Sequence, residues 1–411
     1  MQVRRSSDRL GRRLRWRLHP DAKWAAAAWT TIAIALTLVQ FFAHRWGGRE
    51  ARPRVSAIDL EWLFGGWVGR DSRDYLMIAE GGYSLERLLV VFPGFPLVLK
   101  GISLLGEPRA WGVLVAAAFG LMSALGLAEW CHGVGLDGRS TRAAVLALLI
   151  SPYAWYLYGP LYGDSMFLAA TIWAFVAVQR GRYAAAGLLG MVASATRPTG
   201  YAVAIALTLA VLDAEGVLTR AHASASTMAA RLGLPTGLDR ARLRATRTAR
   251  NLAAVSLSWL GLGAYMGWLA VRRGSPFAWI TAQRLFHSTG SATLLKEEFV
   301  SAFWSNAPLS RLVTTSLSAL ILAASFVVVP IVGRRFGWAP AALILLSAIM
   351  PAVSVATFMG VGRYQLVAFP AFALVGATLA NHRRAALLAG LVSIALLVAF
   401  SIGFSRGAYL A

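Results

Sequence analysis

Apolar runs of about twenty residues recur along this chain, separated by short polar or arginine-bearing stretches. A helix of that length crosses the roughly 30 Å hydrocarbon core of a bilayer. Within lipid each backbone amide and carbonyl must be satisfied inside its own segment, which favours helices and excludes open sheets. The pattern predicts about eleven spans, at residues 24–43, 110–131, 143–158, 165–180, 183–196, 199–213, 251–271, 312–333, 338–358, 364–381 and 385–403. A polar loop at 44–109 follows the first span, and an arginine-rich stretch at 214–250 follows the sixth. The chain therefore divides into a basic N-terminus (1–23), a membrane module that includes the first loop (24–213), the arginine-rich loop (214–250) and the C-terminal spans (251–411).

One apolar run does not fit a span. Leu88 to Leu105 is interrupted near its start by Pro93, Gly94 and Pro96, which break a helix by removing a donor and loosening the backbone. Counting it as a span would also carry Arg139 and Arg142 to the side opposite the N-terminal arginines. It reads as a short surface-lying or re-entrant helix within the first loop. The fold class expected is an all-α polytopic membrane protein with a large first loop. No internal repeat is apparent, so an inverted-repeat transporter has no support in the pattern.

Composition sharpens this picture. Of 411 residues, 57% are hydrophobic and 14% charged, and the net charge is +22. That charge is arginine, with lysine only at Lys23, Lys100 and Lys296. With abundant alanine and glycine, the bias suits a high-GC bacterial genome. Nucleic-acid binding would place the charge on a soluble domain, and none is predicted, so lipid headgroups are the partners expected. The single Cys131 excludes a disulfide framework. No two histidines stand at helical i, i+4 spacing, which argues against a zinc site and leaves no cofactor expected.

Arg4, Arg5, Arg9, Arg12, Arg13, Arg15 and Arg17 precede the first apolar run. The run is too long for a signal peptide core and lacks a small-residue cleavage site. The positive-inside rule places the N-terminus in the cytoplasm and the 44–109 loop outside. The localisation expected is a bacterial cytoplasmic membrane, crossed many times.

The acids are distributed unevenly. Glu50, Asp59, Glu61, Asp71, Asp74, Glu80 and Glu86 all fall in the first loop, and none follows Glu298. On this topology four polar clusters converge on the outer face: Asp71-Ser72-Arg73-Asp74-Tyr75, Tyr162-Gly163-Asp164-Ser165, Arg197-Pro198-Thr199-Gly200 and Gly362-Arg363-Tyr364. Gln283, Arg284 and His287 form a weaker fifth group. A carboxylate within reach of a hydroxyl acts as general base, and arginines bind a phosphate leaving group in bidentate fashion. Together they suit transfer of a sugar from a lipid phosphate, since nucleotide sugars are not available outside the cell. Structural readings stand beside these. Asp71 and Asp74 would cap a helix and pair with Arg70 or Arg73, and Asp164 would be an N-cap. Arg197 and Arg363 would be interfacial snorkels, Glu80 and Glu86 solvated charges, and Trp62, Trp67 and Trp155 interfacial anchors.

At these same clusters the chain resembles the bacterial members of the PIG-V-type mannosyltransferase family, within the GT-C glycosyltransferase superfamily. The resemblance is carried by Asp71 to Tyr75 leading into Ile78-Ala79-Glu80-Gly81-Gly82-Tyr83, then Phe92-Pro93-Gly94-Phe95-Pro96-Leu97. It continues through Ser151-Pro152, Tyr162-Gly163-Asp164-Ser165-Met166-Phe167, Gly181-Arg182-Tyr183 and Thr196-Arg197-Pro198-Thr199-Gly200. Gly274-Ser275-Pro276, Ala282-Gln283, Arg363-Tyr364 and Phe369-Pro370 complete it. The chain departs at Arg70 and Asp74, where the family carries aromatic residues (or His at the second), and at Asp164, where it carries Glu.

The resemblance implies a GT-C-like fold and a polyprenyl-phosphate sugar donor, with mannose transferred and the anomeric configuration inverted. It implies Asp71 as the base and Asp164 as the second acid. Asp74, Tyr75, Ser165, Arg197, Gln283, Arg363 and Tyr364 would bind substrate. The acceptor is open among lipid, glycan and protein. Two outer acids would suffice to hold one divalent ion through water, whereas the resemblance implies a reaction without metal. The rival reading is a transporter or flippase for a lipid or lipid-linked sugar, which would line mid-membrane depth with charge. The acids and arginines gather instead towards one side.

Overall fold

The computed structural model describes residues 18–47, 63–217, 238–283, 309–354, 358 and 360–408, and every regular element among them is helical. Arg4 to Arg17, Glu50, Asp59, Glu61, Trp62, Arg284 and His287 lie outside the described residues.

The first span is α1 (Pro20–Gly47). The first loop carries α2 (Ser72–Gly81) and α3 (Gly94–Ser103). With 10 residues, α3 rises only about 15 Å. It buries Phe95 and Leu99 and leaves Leu97 exposed, as a helix lying on the bundle does. Its start is pinned, because a Cβ at Gly94 would meet the Ala195 carbonyl oxygen at 2.9 Å. Next come α4 (Pro108–Gly133), capped by the Glu107 carboxylate on the Ala110 amide at 2.9 Å, and α5 (Gly138–Leu149), capped by Asp137 on Ser140 at 2.9 Å. Then follow α6 (Asp164–Gln179), α7 (Tyr183–Thr196), α8 (Gly200–Ala214), α9 (Leu238–Ser256), α10 (Leu260–Arg273) and α11 (Ala278–Gln283). The chain closes with α12 (Leu309–Phe336), α13 (Trp338–Ser354), α14 (Val361–Tyr364), α15 (Phe369–Leu379) and α16 (Arg383–Ser405).

Five stretches are long and apolar enough to cross a membrane: 20–45, 108–133, 245–273, 311–336 and 383–405. Shorter apolar helices, α6, α7, α8, α13 and α15 among them, pack around these. The molecule is an all-α polytopic membrane protein. Each of the predicted spans meets a helix.

Besides the span at 251–271, which passes through a 3₁₀ turn at Leu257–Trp259, two of those spans are not continuous helices, and both of these departures build the site. The span expected at 143–158 stops at Leu149 as α5, because Ser151-Pro152 cannot extend it. Residues 150–163 then run irregularly around a 3₁₀ turn at Ala154–Leu157, with Tyr153, Trp155, Tyr156 and Tyr158 buried. Irregular backbone at such depth needs protein partners. The Trp29 indole donates to the Leu157 carbonyl (3.2 Å) and the Tyr158 hydroxyl to that of Leu149 (2.8 Å). The span expected at 364–381 is likewise split into α14, a 3₁₀ turn at Gln365–Val367 and α15.

The tryptophan expectation is overturned here. Trp67 and Trp155 are 0% and 1% exposed, packed inside rather than anchored at an interface. Trp155 stacks on Tyr156 with centroids 3.7 Å apart and meets Phe404 at 4.5 Å.

The irregular segment lies so close to α4 that a Cβ at Gly120 would fall on the Leu157 carbonyl oxygen. Gly120→Ala is expected to cost about 1–3 kcal/mol through overpacking. Thermal unfolding in detergent would read this as a lowered midpoint, while Gly263→Ala, where a Cβ meets open space, stays near wild type.

Candidate functional site

The two breaks bring polar side chains from four distant parts of the chain to one place. Asp164 is the first residue of α6, and Gly163 holds the cap position with no side-chain cap bond. The N-cap expectation for Asp164 thus shifts by one residue, and its carboxylate turns inward. Its side chain is 2% exposed and lies 2.7 Å from Arg197 Nη2 and 3.8 Å from Arg363 Nε. Arg197 ends α7 in an extended conformation imposed by Pro198. Arg363 sits on α14, in the gap between α13 and α15. Both arginine side chains are 9% exposed, so neither is an interfacial snorkel.

Asp71 completes the centre from the first loop. Its Oδ2 is 3.3 Å from Arg363 Nη1, and its side chain remains 28% exposed. It occupies the N-cap position of α2 but caps no amide with its side chain. The Tyr162 hydroxyl accepts from the Asp71 amide at 3.2 Å and donates to the Gly69 carbonyl at 3.5 Å. Between them Arg70 adopts φ 53°, left-handed backbone for a residue other than glycine, at a cost of about 1–3 kcal/mol. The turn that presents Asp71 is therefore held strained by its surroundings.

Aromatic rings wall the arginines. Arg363 lies 5.4 Å from the Tyr156 and Tyr162 ring centroids and 5.1 Å from that of Tyr364, which also faces Arg197 at 5.0 Å. Tyr75 packs edge-on against Phe95 at 5.6 Å and tilted against Tyr162 at 5.8 Å. Burial, resisted by the nearby arginines, pushes the Tyr75 phenol up to about 12, so it stays a proton donor. Two carboxylates and two guanidiniums balance in charge, yet their hydrogen bonding is unfinished. Both Asp164 oxygens, Arg197 Nε, Arg363 Nε and the buried Ser165 hydroxyl lack an aligned partner. Buried groups left so are costly, and a polar, anionic or hydroxylated ligand would supply what they lack.

Two sequence-predicted residues lie off this centre. Asp74 pairs with Arg87 at 3.2 Å, not with Arg70 or Arg73 as the capping reading had it. Burial raises its carboxyl above the usual 3.8, with Arg87 opposing and Asp71 adding to the rise. A folded-state value above the unfolded one means that the folded protein binds the extra proton, so stability is lost as pH climbs from 3.8 through the folded value. Asp74→Asn is expected to abolish that loss, so that its thermal midpoint gains on the wild type across this window. Gln283 ends α11 beside the aromatic cluster of Phe92, Tyr265 and Trp279. No described contact joins it to the carboxylate–arginine centre. Glu80 and Glu86 are exposed, as read. Sequence reasoning did not single out Tyr156, whose ring lies against Arg363; only its place beside Ser151-Pro152 pointed to it.

No family model matches this chain. Over 160 residues, 36% of its length, it is 33% identical to GPI alpha-1,6-mannosyltransferase 2 of Mus musculus. It is 34% identical over 153 residues to the protein of that name in Rattus norvegicus, and 32% identical over 153 residues to that of Cricetulus griseus. The matched stretch is 32% of the mouse protein and 31% of each of the others, so the chain spans about a third of the length of the curated relatives it matches.

Proposed function

We propose that this chain is a glycosyltransferase that moves mannose from a polyprenyl-phosphate donor to an acceptor hydroxyl, inverting the anomeric centre, on the outer face of a bacterial cytoplasmic membrane. The observation that carries it is the buried Asp164–Arg197–Arg363 centre with Asp71 at its accessible edge. The similarity to proteins named as mannosyltransferases supports the sugar.

Asp71 takes the proton of the acceptor hydroxyl as that oxygen attacks the anomeric carbon. The bond from that carbon to the phosphate oxygen breaks on the opposite face, and its electron pair leaves on polyprenyl phosphate. The phosphate's growing negative charge is met by Arg197 and Arg363, whose buried Nε groups make no hydrogen bond of their own. Asp164 holds both guanidiniums in place, and Ser165 and Tyr75 offer hydroxyls to the sugar. Tyr364 stacks behind the arginines. The polyprenyl chain lies along the lipid-facing helices, and the acceptor is a lipid, a glycan or a protein.

The test is transfer of radiolabelled mannose from polyprenyl-phosphate mannose by protein purified in detergent, with the product anomer read by NMR. Expected are mannosylated product, or slow donor hydrolysis without acceptor, and an anomer opposite to that of the donor. Neither transfer nor hydrolysis with any polyprenyl-phosphate sugar would overturn the reading and put a lipid-linked sugar flippase in its place.

A further inference from the structure

Asp71 stands in a tight turn to which its own stretch of sequence is poorly suited. The Ser72 amide donates to the Gly69 carbonyl at 3.0 Å, so Arg70 and Asp71 are the central residues of a β-turn. Arg70 has φ 53° and Asp71 φ −62°. A positive φ followed by a negative one is the pattern of a type II′ turn, whose first central position favours glycine. Glycine takes that backbone without steric penalty, whereas the Cβ of arginine resists it. The glycine of this stretch, Gly69, stands one place too early to relieve the strain.

One hydroxyl spans the strained residue. The Asp71 amide, just after Arg70, donates to Tyr162 Oη at 3.2 Å, and the same hydroxyl reaches the Gly69 carbonyl, just before Arg70, at 3.5 Å. The second contact is long for a bond between oxygens, so the bond from the Asp71 amide carries most of the hold. Tyr162 arrives here from the irregular segment after α5. Its amide closes a turn on the Pro160 carbonyl at 2.7 Å. Its buried ring is confined by Tyr156, edge-on at 5.3 Å, and by Phe404 at 6.2 Å. A Cβ at Gly159 would lie 3.2 Å from the Trp67 ring, so this segment packs directly on the first loop. Arg363 also meets the Asp71 carboxylate, at 3.3 Å. That attraction weakens once the carboxylate takes a proton, whereas a bond to the backbone amide does not.

We infer that Tyr162 is a positioning residue for sugar transfer: its hydroxyl holds the Gly69–Ser72 turn in the form that presents Asp71, and Arg70 is the residue which that form strains. The role rests on the assignment of Asp71 as the base. Tyr162 acts through Asp71 and not on the sugar, and a misplacement of about 1 Å in such a group costs about 10²-fold in rate. Asp71 and Tyr162 are 91 residues apart in sequence, so the hold exists only through the packing of the irregular segment on the first loop.

Transfer from polyprenyl-phosphate mannose by the full-length protein in detergent would be compared for four proteins: wild type, Tyr162→Phe, and Tyr162→Phe carrying either Arg70→Gly or Arg70→Ala. Phenylalanine keeps the ring against Arg363 and removes only the hydroxyl. Tyr162→Phe is expected to lower kcat by about 10–100-fold, with binding of a non-reacting donor analogue unchanged. Both Arg70 changes remove the guanidinium, but only glycine accepts φ 53° freely. Arg70→Gly should therefore restore most of the lost rate and Arg70→Ala should not, and the glycine variant should melt at the higher temperature. No transfer by the wild type would overturn the assigned function and this role with it. A wild type that transfers beside an equally active Tyr162→Phe would overturn the positioning role alone. So would a loss that Arg70→Gly repairs no better than Arg70→Ala, or a glycine variant that melts below the alanine one.

Discussion

Sugar transfer by Asp71→Asn is expected to fall by about 10²–10⁴-fold, the range that a positioned general base contributes. Asparagine keeps the size of the side chain and can still accept from Arg363, now at 3.3 Å from Asp71 Oδ2, but it takes no proton from an attacking hydroxyl. The loss should fall on kcat, with donor affinity held by the arginines close to wild type. Single-turnover transfer together with equilibrium binding of a non-reacting donor analogue separates the two. Full activity in Asp71→Asn would remove this residue from the reaction. The low exposure of Asp164, at 2%, sets it apart from Asp71 at 28%, so of the two carboxylates Asp71 is the more open to water.

Asp164→Ala is expected to be the most damaging single change to the fold, at about 3–5 kcal/mol, because it leaves a buried guanidinium uncompensated. Arg197 would lose its partner at 2.7 Å, and Arg363 would keep Asp71 as its carboxylate partner. Removing both members of the pair, as Asp164→Leu with Arg197→Met, should recover more than half of that loss, since apolar replacement of a whole buried pair costs far less than breaking it. Thermal midpoints in one detergent for the two single variants and the double variant check this. Additive losses would show that the pair does not act as a unit. All three variants should lack transfer, so stability rather than activity is the discriminating readout.

The hydrophobic pattern alone was enough for the helices. Spans of about twenty apolar residues have one outcome in lipid, and Pro93-Gly94 marked α3 as a short surface-lying or re-entrant helix. Scarce charge at the polar edges also drew out the clusters that hold Asp71, Asp164, Arg197 and Arg363, and the family resemblance then picked out those residues within them. What the sequence did not contain was their pairing. Asp164 was as good an N-cap as a buried acid by its neighbours in sequence, and Arg363 as good a snorkel as a core cation. Gln283 matched a motif as well as Asp71 did, and Asp74 shared Asp71's cluster though it departs from the motif, yet the fold turns Asp74 to Arg87 and sets Gln283 next to Ala282 of a separate aromatic cluster.

Local periodicity, helix breakers and charge scarcity are properties of neighbouring residues, and so the sequence by itself determined that this is a helical membrane protein with rare polar edges. Whether Trp155 sits at an interface or in the core, whether Tyr162 reaches Asp71, and which arginine faces which acid depend on contacts between residues far apart in the chain. Those were decided only when α5 and α15 stopped short and the freed backbone was packed, with its tyrosines, between the long helices.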